Sequence, residues 1–264
     1  MLTLYHFDGA ICAQKVRIAL TEKKLEWESR ECVGSGLRDP DYLRLNPNGV
    51  VPTLVHNEFV LTESRIISEY VNDAFEGPPL MPSDAQGRYL ARLWSKRIDD
   101  SLHLHAFVLT FVSGMRDAFI AMSVEDRNAA MPGLRDPIKR QISRELLAGD
   151  LEAPWVKRAI EAFHDLIGDM ELALSKAPHL SGQQYSLADA DYTAYVRRLS
   201  DLGFELLWAD KPAVADWWRR MSQRPSYKKG ILDWVRQRDV ERYHLSRQRL
   251  APLLRTLKSG SARS

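Results

Sequence analysis

A small α/β domain followed by an all-helical one is the fold class the sequence predicts, and two observations carry it. Over the first 75 residues, short alternating β-like runs are interleaved with helical spacing, whereas residues 85–250 show almost only helical periodicity. Between them, Glu76-Gly77-Pro78-Pro79-Leu80-Met81-Pro82 is stiff and helix-incompatible, and marks a boundary. The expected division is a domain over residues 1–77, a linker over 78–87, a helical domain over 88–235 and a basic tail over 236–264. With 264 residues, 45% hydrophobic and 27% charged, the chain can bury one or two cores, which excludes a disordered, collagen-like or disulfide-scaffold protein.

Leu2, Leu4 and His6 alternate with Thr3, Tyr5 and Phe7, predicting a first strand that Asp8-Gly9-Ala10 ends. From Cys12 the period lengthens: Val16, Ala19 and Leu20 define a helical face, with Lys15, Arg17 and Lys23 off it. Residues 25–32 predict a second strand, parallel to the first because a helix crosses between them. After a loop rich in Gly, Pro and Asn, residues 50–55 and 59–61 flank the polar His56-Asn57-Glu58 and predict an antiparallel hairpin. Ile66, Ile67, Tyr70 and Val71 place a helix over 64–75.

Beyond the linker, Leu90, Leu93, Trp94, Ile98, Leu102, Phe107 and Phe111 predict one long helix over 88–112, then short helices and loops over 113–155. Val156, Ile160, Phe163, Ile167, Met170 and Leu174 predict a helix over 155–174. In Ser186-Leu187-Ala188-Asp189 a hydroxyl precedes a carboxylate by three residues, which caps the start of a helix running through Tyr192 and Val196.

Net charge is +2, but eight basic residues (Arg236, Arg238, Arg242, Arg247, Arg249, Arg255, Lys258, Arg263) face two acidic ones in the tail, so the preceding 235 residues net −4. Leu245, Leu250, Leu253, Leu254 and Leu257 between them predict a basic amphipathic helix, read as a solvated helix over a cleft. With Tyr243 as the tail's one aromatic, base stacking has little support, and neither nucleic acid nor membrane is an expected partner. Two cysteines, Cys12 and Cys32, are too few for a disulfide framework and point to a reducing, cytoplasmic setting. The opening MLTLYHF lacks the basic and apolar stretches of a signal peptide, and no window approaches 18 consecutive apolar residues.

Three features of the first domain fit one small ligand. Cys12 stands where a strand hands over to a helix, where unpaired amides and the helix dipole favour a thiolate, with Lys15 and Arg17 adding charge. Lys15 occupies the place of a second cysteine, so a reactive Cys12 needs an external thiol to resolve it. Pro52, lacking an N–H, belongs at a strand edge or a special turn, and on an edge strand the Val51 backbone can pair with a short extended peptide. Thr62-Glu63-Ser64 sets a carboxylate and a hydroxyl beside helix N-terminal amides, a combination that holds both charges of an amino acid. Each has a plain alternative: a small packed cysteine, an ordinary edge strand and a helix cap. Cys32, in a strand without nearby cations, reads as structural. His103 and His105, two apart, cannot share a helix face, and no metal site is expected.

The run from Leu2 to Leu20, Asn46-Pro47-Asn48-Gly49-Val50-Val51-Pro52-Thr53-Leu54, Thr62-Glu63-Ser64, the cap at 186–189 and Arg224-Pro225-Ser226-Tyr227 together resemble the cytosolic glutathione transferase superfamily over roughly residues 1–235. The resemblance implies a thioredoxin-like, glutathione-binding first domain, an all-α helical bundle that takes a hydrophobic co-substrate, and a homodimer. It implies a glutathione site at Ala10, Ile11, Val50, Val51, a cis Pro52, Glu63 and Ser64, with Val50 where relatives often carry Lys or Gln. The serine of some classes is absent from Gly9-Ala10-Ile11, and Tyr5 is expected to pack rather than act. Ala10-Ile11-Cys12-Ala13-Gln14-Lys15 looks most like bacterial tetrachlorohydroquinone reductive dehalogenases, and the second domain is similar to β-aryl etherases. The implied activity is that of a glutathione S-transferase on an electrophilic aromatic substrate: conjugation, reductive dehalogenation or ether cleavage, in degradation or detoxification. Cys12 is the catalytic candidate, as nucleophile or as neighbour of the glutathione thiolate. Trp94, His103, Phe107 and Phe111 are candidates for the acceptor pocket. The rival reading is a non-catalytic ligand-binding or scaffold protein of the same fold.

Overall fold

A computed structural model describes residues 1–130 and 136–261. Arg263, and the side chains of Arg255, Leu257 and Lys258, lie outside the described residues. The chain forms two compact units: Met1–Lys96, Ala173–Val196 and Asp216–Arg236 in the first, Arg97–Leu172, Arg197–Ala215 and Gln237–Ser264 in the second.

The first unit contains a four-stranded sheet of β1 (Leu2–His6), β2 (Glu28–Glu31), β3 (Thr53–His56) and β4 (Phe59–Leu61) in the order β2-β1-β3-β4. β1 is parallel to β2 and antiparallel to β3, and β3 and β4 form the expected hairpin. β2 is shorter than the sequence suggests. It is an edge strand paired only with β1, from Thr3↔Glu28 to His6↔Glu31, so its length is limited by that of β1. Leu25 and Trp27 pack on the core from outside the ladder. β3 begins at Thr53 because Pro52 has no N–H to donate and the Val50 carbonyl is taken by the Tyr42 hydroxyl and Asn46 Nδ2.

The helices are α1 (Ile11–Glu22), α2 (Pro40–Leu45), α3 (Ser64–Ala74), α4 (Ala85–Arg97), α5 (His103–Thr110), α6 (Arg116–Ala121) and α7 (Val124–Ala130). They continue with α8 (Pro137–Gly149), α9 (Pro154–Leu174), α10 (Leu187–Asp201), α11 (Pro212–Ser222), α12 (Pro225–Gly230) and α13 (Gln237–Ser261). Leu2, Leu4, Leu54 and Leu61 from the sheet, Val16 and Leu20 from α1, and Ile67 and Val71 from α3 make one core. Each such side chain contributes about 2 kcal/mol by leaving water. α12 lies so close to α1 that a Cβ on Gly230 would sit 3.0 Å from the Ile18 amide nitrogen, and glycine is required there.

The long helix is longer than its apolar spacing implies. Asp84 Oδ1 accepts the Gly87 amide at its start, and π turns at Ile98–Leu102 and Phe111–Met115 carry it through Ser113-Gly114 to Ala121. This run of 37 residues has an 18-residue window of mean hydropathy 1.3, long and apolar enough to cross a membrane by length and composition alone. Its Ile98, Leu102, Ala106, Val108, Leu109, Phe111 and Val112 are each 2% exposed or less, so the protein itself already buries them.

The basic tail is the helix α13, as its pattern predicts, but much of its charge is neutralised locally. In the second unit Arg247 pairs with Glu205 at 2.5 Å, Arg249 with Asp117 at 2.7 Å and Asp150 at 2.6 Å, and Arg242 with Asp239 at 2.8 Å. In the first unit Arg236 pairs with Asp8 and Glu31. Except for Asp239, these acids belong to the net-negative body of the chain, which is why the composition alone suggested a freer basic surface than the structure has.

Candidate functional site

β1 hands over to α1 through Phe7-Asp8-Gly9-Ala10, and Cys12 is the second residue of α1. Ala10 caps that helix with extended backbone and makes no side-chain cap bond, and no acidic residue stands in the first turn. The positive end of the helix dipole therefore meets no first-turn carboxylate and keeps its attraction for an anion. Cys12 is half-buried, and neither it nor the buried Cys32 is in a disulfide. Burial pushes the Cys32 thiol up, the behaviour of a structural cysteine.

Lys15 and Arg17 are not exposed charges beside Cys12; both are buried in the first unit. Arg17, 0% exposed, donates to the carbonyls of Phe7 at 3.2 Å, Asp8 at 3.0 Å and Gly230 at 2.7 Å, and its guanidinium lies 5.1 Å from the Trp234 ring centroid. It thus holds the loop that leads into Cys12. Its remaining partner is His6 Nδ1 at 3.0 Å. Because a guanidinium only donates, Nδ1 accepts and Nε2 carries the hydrogen, which it donates to Ser29 Oγ at 2.8 Å.

Burial, then the Arg17 charge, lowers the His6 pKa from 6.5 to about 3. The unfolded imidazole takes up a proton that the folded one refuses, so this contribution is full above pH 6.5 and is lost as pH falls toward about 3. Stability should fall by up to ~1.4 kcal/mol per pH unit over that window. Urea midpoints between pH 7 and pH 4 check this, and a His6→Gln protein with the same pH slope would remove His6 as the cause.

The Val51–Pro52 peptide is cis, as the resemblance implies. Val50 is half-exposed, and its carbonyl is engaged by Tyr42 and Asn46. Contrary to the expected edge strand, β3 lies between β1 and β4 and Val51 precedes it; among the described residues the Val51 N–H and C=O have no backbone partner, leaving one donor and one acceptor ahead of the ladder. Tyr5 packs against Tyr42, with ring centroids 5.6 Å apart.

Glu63 joins β4 to α3 with φ +67° and ψ 107°. A non-glycine residue in this region costs about 1–3 kcal/mol, and such outliers concentrate at functional sites. Its side chain makes no cap bond to α3 and is exposed. Ser64, the first residue of α3, is 9% exposed and accepts from Lys15 Nζ at 3.2 Å. Lys15 in turn lies 3.4 Å from Asp191 Oδ1, and Ser95 Oγ donates to Asp191 Oδ2 at 3.0 Å. The sequence signal for this chain was a lysine within an apolar helix and an aspartate among the small residues of α10.

The structure places Ala10, Ile11, Cys12, Val50, Val51, Pro52, Glu63 and Ser64 in the first unit, at the starts of α1 and α3 and in the segments that lead into α1, β3 and α3. Trp94 belongs to the same unit; its indole donates to the Leu180 carbonyl at 2.8 Å and meets Tyr192 edge-on at 5.2 Å. His103, Phe107 and Phe111 belong to the second unit. There Phe107 lies 5.7 Å from Phe111, which is 0% exposed and packs on Phe119, while Phe107 and His103 are half-buried.

Residues 4–79 match the glutathione S-transferase N-terminal domain family. The chain is 26% identical to the glutathione S-transferase TCHQD of Arabidopsis thaliana, over 87% of this chain and 89% of that protein. It is 26% identical to the tetrachloro-p-hydroquinone reductive dehalogenase of Sphingobium chlorophenolicum, over 86% and 94% of the two. Among solved structures, the β-etherase LigF from Sphingobium sp. strain SYK-6 matches with a TM-score of 0.78 and 26% identity, covering 87% of this chain and 98% of that one.

Proposed function

Because the chain belongs to the glutathione transferase superfamily, we propose that it is a glutathione-dependent transferase acting on an electrophilic aromatic substrate. The observation that carries this reading is a Val51 backbone without a backbone partner among the described residues, in the same unit as a helix start with no acidic residue in its first turn and an exposed Glu63 carboxylate. In the reading, Val51 pairs with the backbone of the glutathione cysteine, Glu63 takes the γ-glutamyl ammonium, and Ser64 with the first amides of α3 takes its α-carboxylate. Ala10, Ile11 and Val50 flank the tripeptide. The thiol is directed to the start of α1, where dipole and amides raise its thiolate fraction.

The thiolate attacks an aromatic carbon or the ether carbon that bears the aryloxy group; a C–S bond forms, and the bond to halide or phenolate breaks with its electron pair. In the dehalogenase-like version, the Cys12 thiolate attacks the sulfur of a glutathionyl adduct, the aryl carbon leaves with the electron pair and takes a proton, and a second glutathione releases Cys12 as glutathione disulfide. The acceptor is assigned to residues 88–235, where His103 and Phe107 are half-buried while the candidate Phe111 is 0% exposed and serves packing instead, and glutathione to residues 1–77. No metal is required. The absence of a disulfide suits a cytoplasmic setting, and exposed Phe59, Ile66, Tyr89, Leu90 and Leu93 suit a homodimer.

Glutathione binding measured by calorimetry tests the site. Glu63→Gln should weaken it about 10-fold, the effect of losing a charge-assisted hydrogen bond. A wild-type protein that passes unretained through a glutathione column would favour the non-catalytic reading. Mass spectrometry after exposure to glutathione disulfide then separates the two chemistries. A glutathionyl group on Cys12, together with loss of turnover in Cys12→Ser, selects the reductive route; neither result selects conjugation or ether cleavage.

A further inference from the structure

Lys15, Asp191 and Ser95 form a buried chain behind Ser64 that the proposed glutathione site does not use. The Lys15 and Asp191 side chains are 1% and 2% exposed. Removing two such charges from water costs several kcal/mol per ion, and an apolar pair of the same volume often stabilises a fold equally well or better. Stability is therefore a weak reason for the pair, and its geometry suggests another. Lys15 Nζ is 3.2 Å from Ser64 Oγ and 3.4 Å from Asp191 Oδ1, with Ser95 Oγ on the other carboxylate oxygen at 3.0 Å.

An ammonium carries three donors and no acceptor. Ser64 Oγ must accept from Lys15, which leaves the hydroxyl hydrogen to be donated elsewhere. Among the described residues no acceptor takes it. Ser64 is also the first residue of α3, an eleven-residue helix whose opening amides favour an anion. A hydroxyl obliged to donate, backed by a buried cation, is matched to a carboxylate.

We infer that Lys15 is a positioning residue for the ligand α-carboxylate: its ammonium, balanced by Asp191, fixes Ser64 as a donor and acts on the ligand only through that hydroxyl. The inference rests on the glutathione reading and names how that site selects the γ-glutamyl end. Asp191 holds the Lys15 side chain in place, so the site carries this cation at no exposed position.

The test compares glutathione with 4-aminobutanoyl-cysteinylglycine, which keeps the amine and thiol and lacks the α-carboxylate. Dissociation constants are measured by calorimetry for wild type, Lys15→Met, Ser64→Ala and Lys15→Met/Ser64→Ala. Lys15→Met/Asp191→Asn, which leaves no uncompensated charge, supplies the same comparison if the single variant does not fold. Lys15→Met should weaken glutathione about 10-fold and the analogue less than about 2-fold, and in the Ser64→Ala background its effect on glutathione should vanish. Equal losses for both ligands, or a full loss that persists without the Ser64 hydroxyl, would overturn the role of Lys15 while leaving the glutathione site standing. A wild-type protein that binds neither ligand overturns both.

Discussion

Asp189→Ala is expected to cost about 5 kcal/mol of folding stability, a large share of the total for a typical protein. Asp189 is 0% exposed, and its two oxygens accept from the Leu180 amide at 3.1 Å, the Ser186 amide at 3.0 Å, the Ser186 hydroxyl at 3.3 Å and the Trp217 indole at 2.8 Å. Alanine leaves all four donors without that acceptor, in a place water does not reach. Asp189→Asn keeps the shape but replaces one acceptor oxygen with a donor group, and should lose about half as much. Urea denaturation of the three proteins checks the order. A loss below about 1 kcal/mol for alanine would show that the cap does not anchor the start of α10.

Arg17→Met is expected to cost about 4 kcal/mol and to loosen the segment leading into Cys12. Methionine replaces the apolar stem beneath Trp234 but leaves the carbonyls of Phe7, Asp8 and Gly230 and His6 Nδ1 without their shared donor. Lysine does not rescue it, because one ammonium cannot cover the directions that a planar five-donor fork does. Hydrogen exchange should rise across residues 7–12 well before it rises in the Leu4, Leu20 and Leu54 core. Unchanged exchange there, whatever the change in denaturation midpoint, would mean that Arg17 supports α12 alone and not the loop.

The order and type of the elements were legible because periodicity is a local property. The alternation of Leu2, Leu4 and His6, the hairpin turn at Asn57-Glu58 and the Ser186–Asp189 cap depend on residues a few positions apart, and each is present in the structure. Element ends were less legible, because neighbours decide them. β2 stops where β1 does, and the long helix passes Ser113-Gly114 by a π turn that spacing does not encode. The candidate site was legible as short motifs: Cys12 at a helix start and Glu63-Ser64 at the entry to a helix have their expected local settings, whereas Val51-Pro52 precedes an interior strand instead of lying within an edge strand.

By itself, then, the sequence determined a β-α-β and β-β-α unit joined to helices, and a set of short motifs in the order of one superfamily. Only the tertiary structure decided what the charges do. Lys15 and Arg17 lie off the apolar face of α1 and read as positive charge beside Cys12, yet both are buried, because partners 176 and 213 residues further along the chain meet them. The tail likewise reads as a free +6 segment until the acids at positions 117, 150 and 205 neutralise it. A buried charge is tolerated only with a partner at hydrogen-bond distance, and that distance is set by how remote segments fold together.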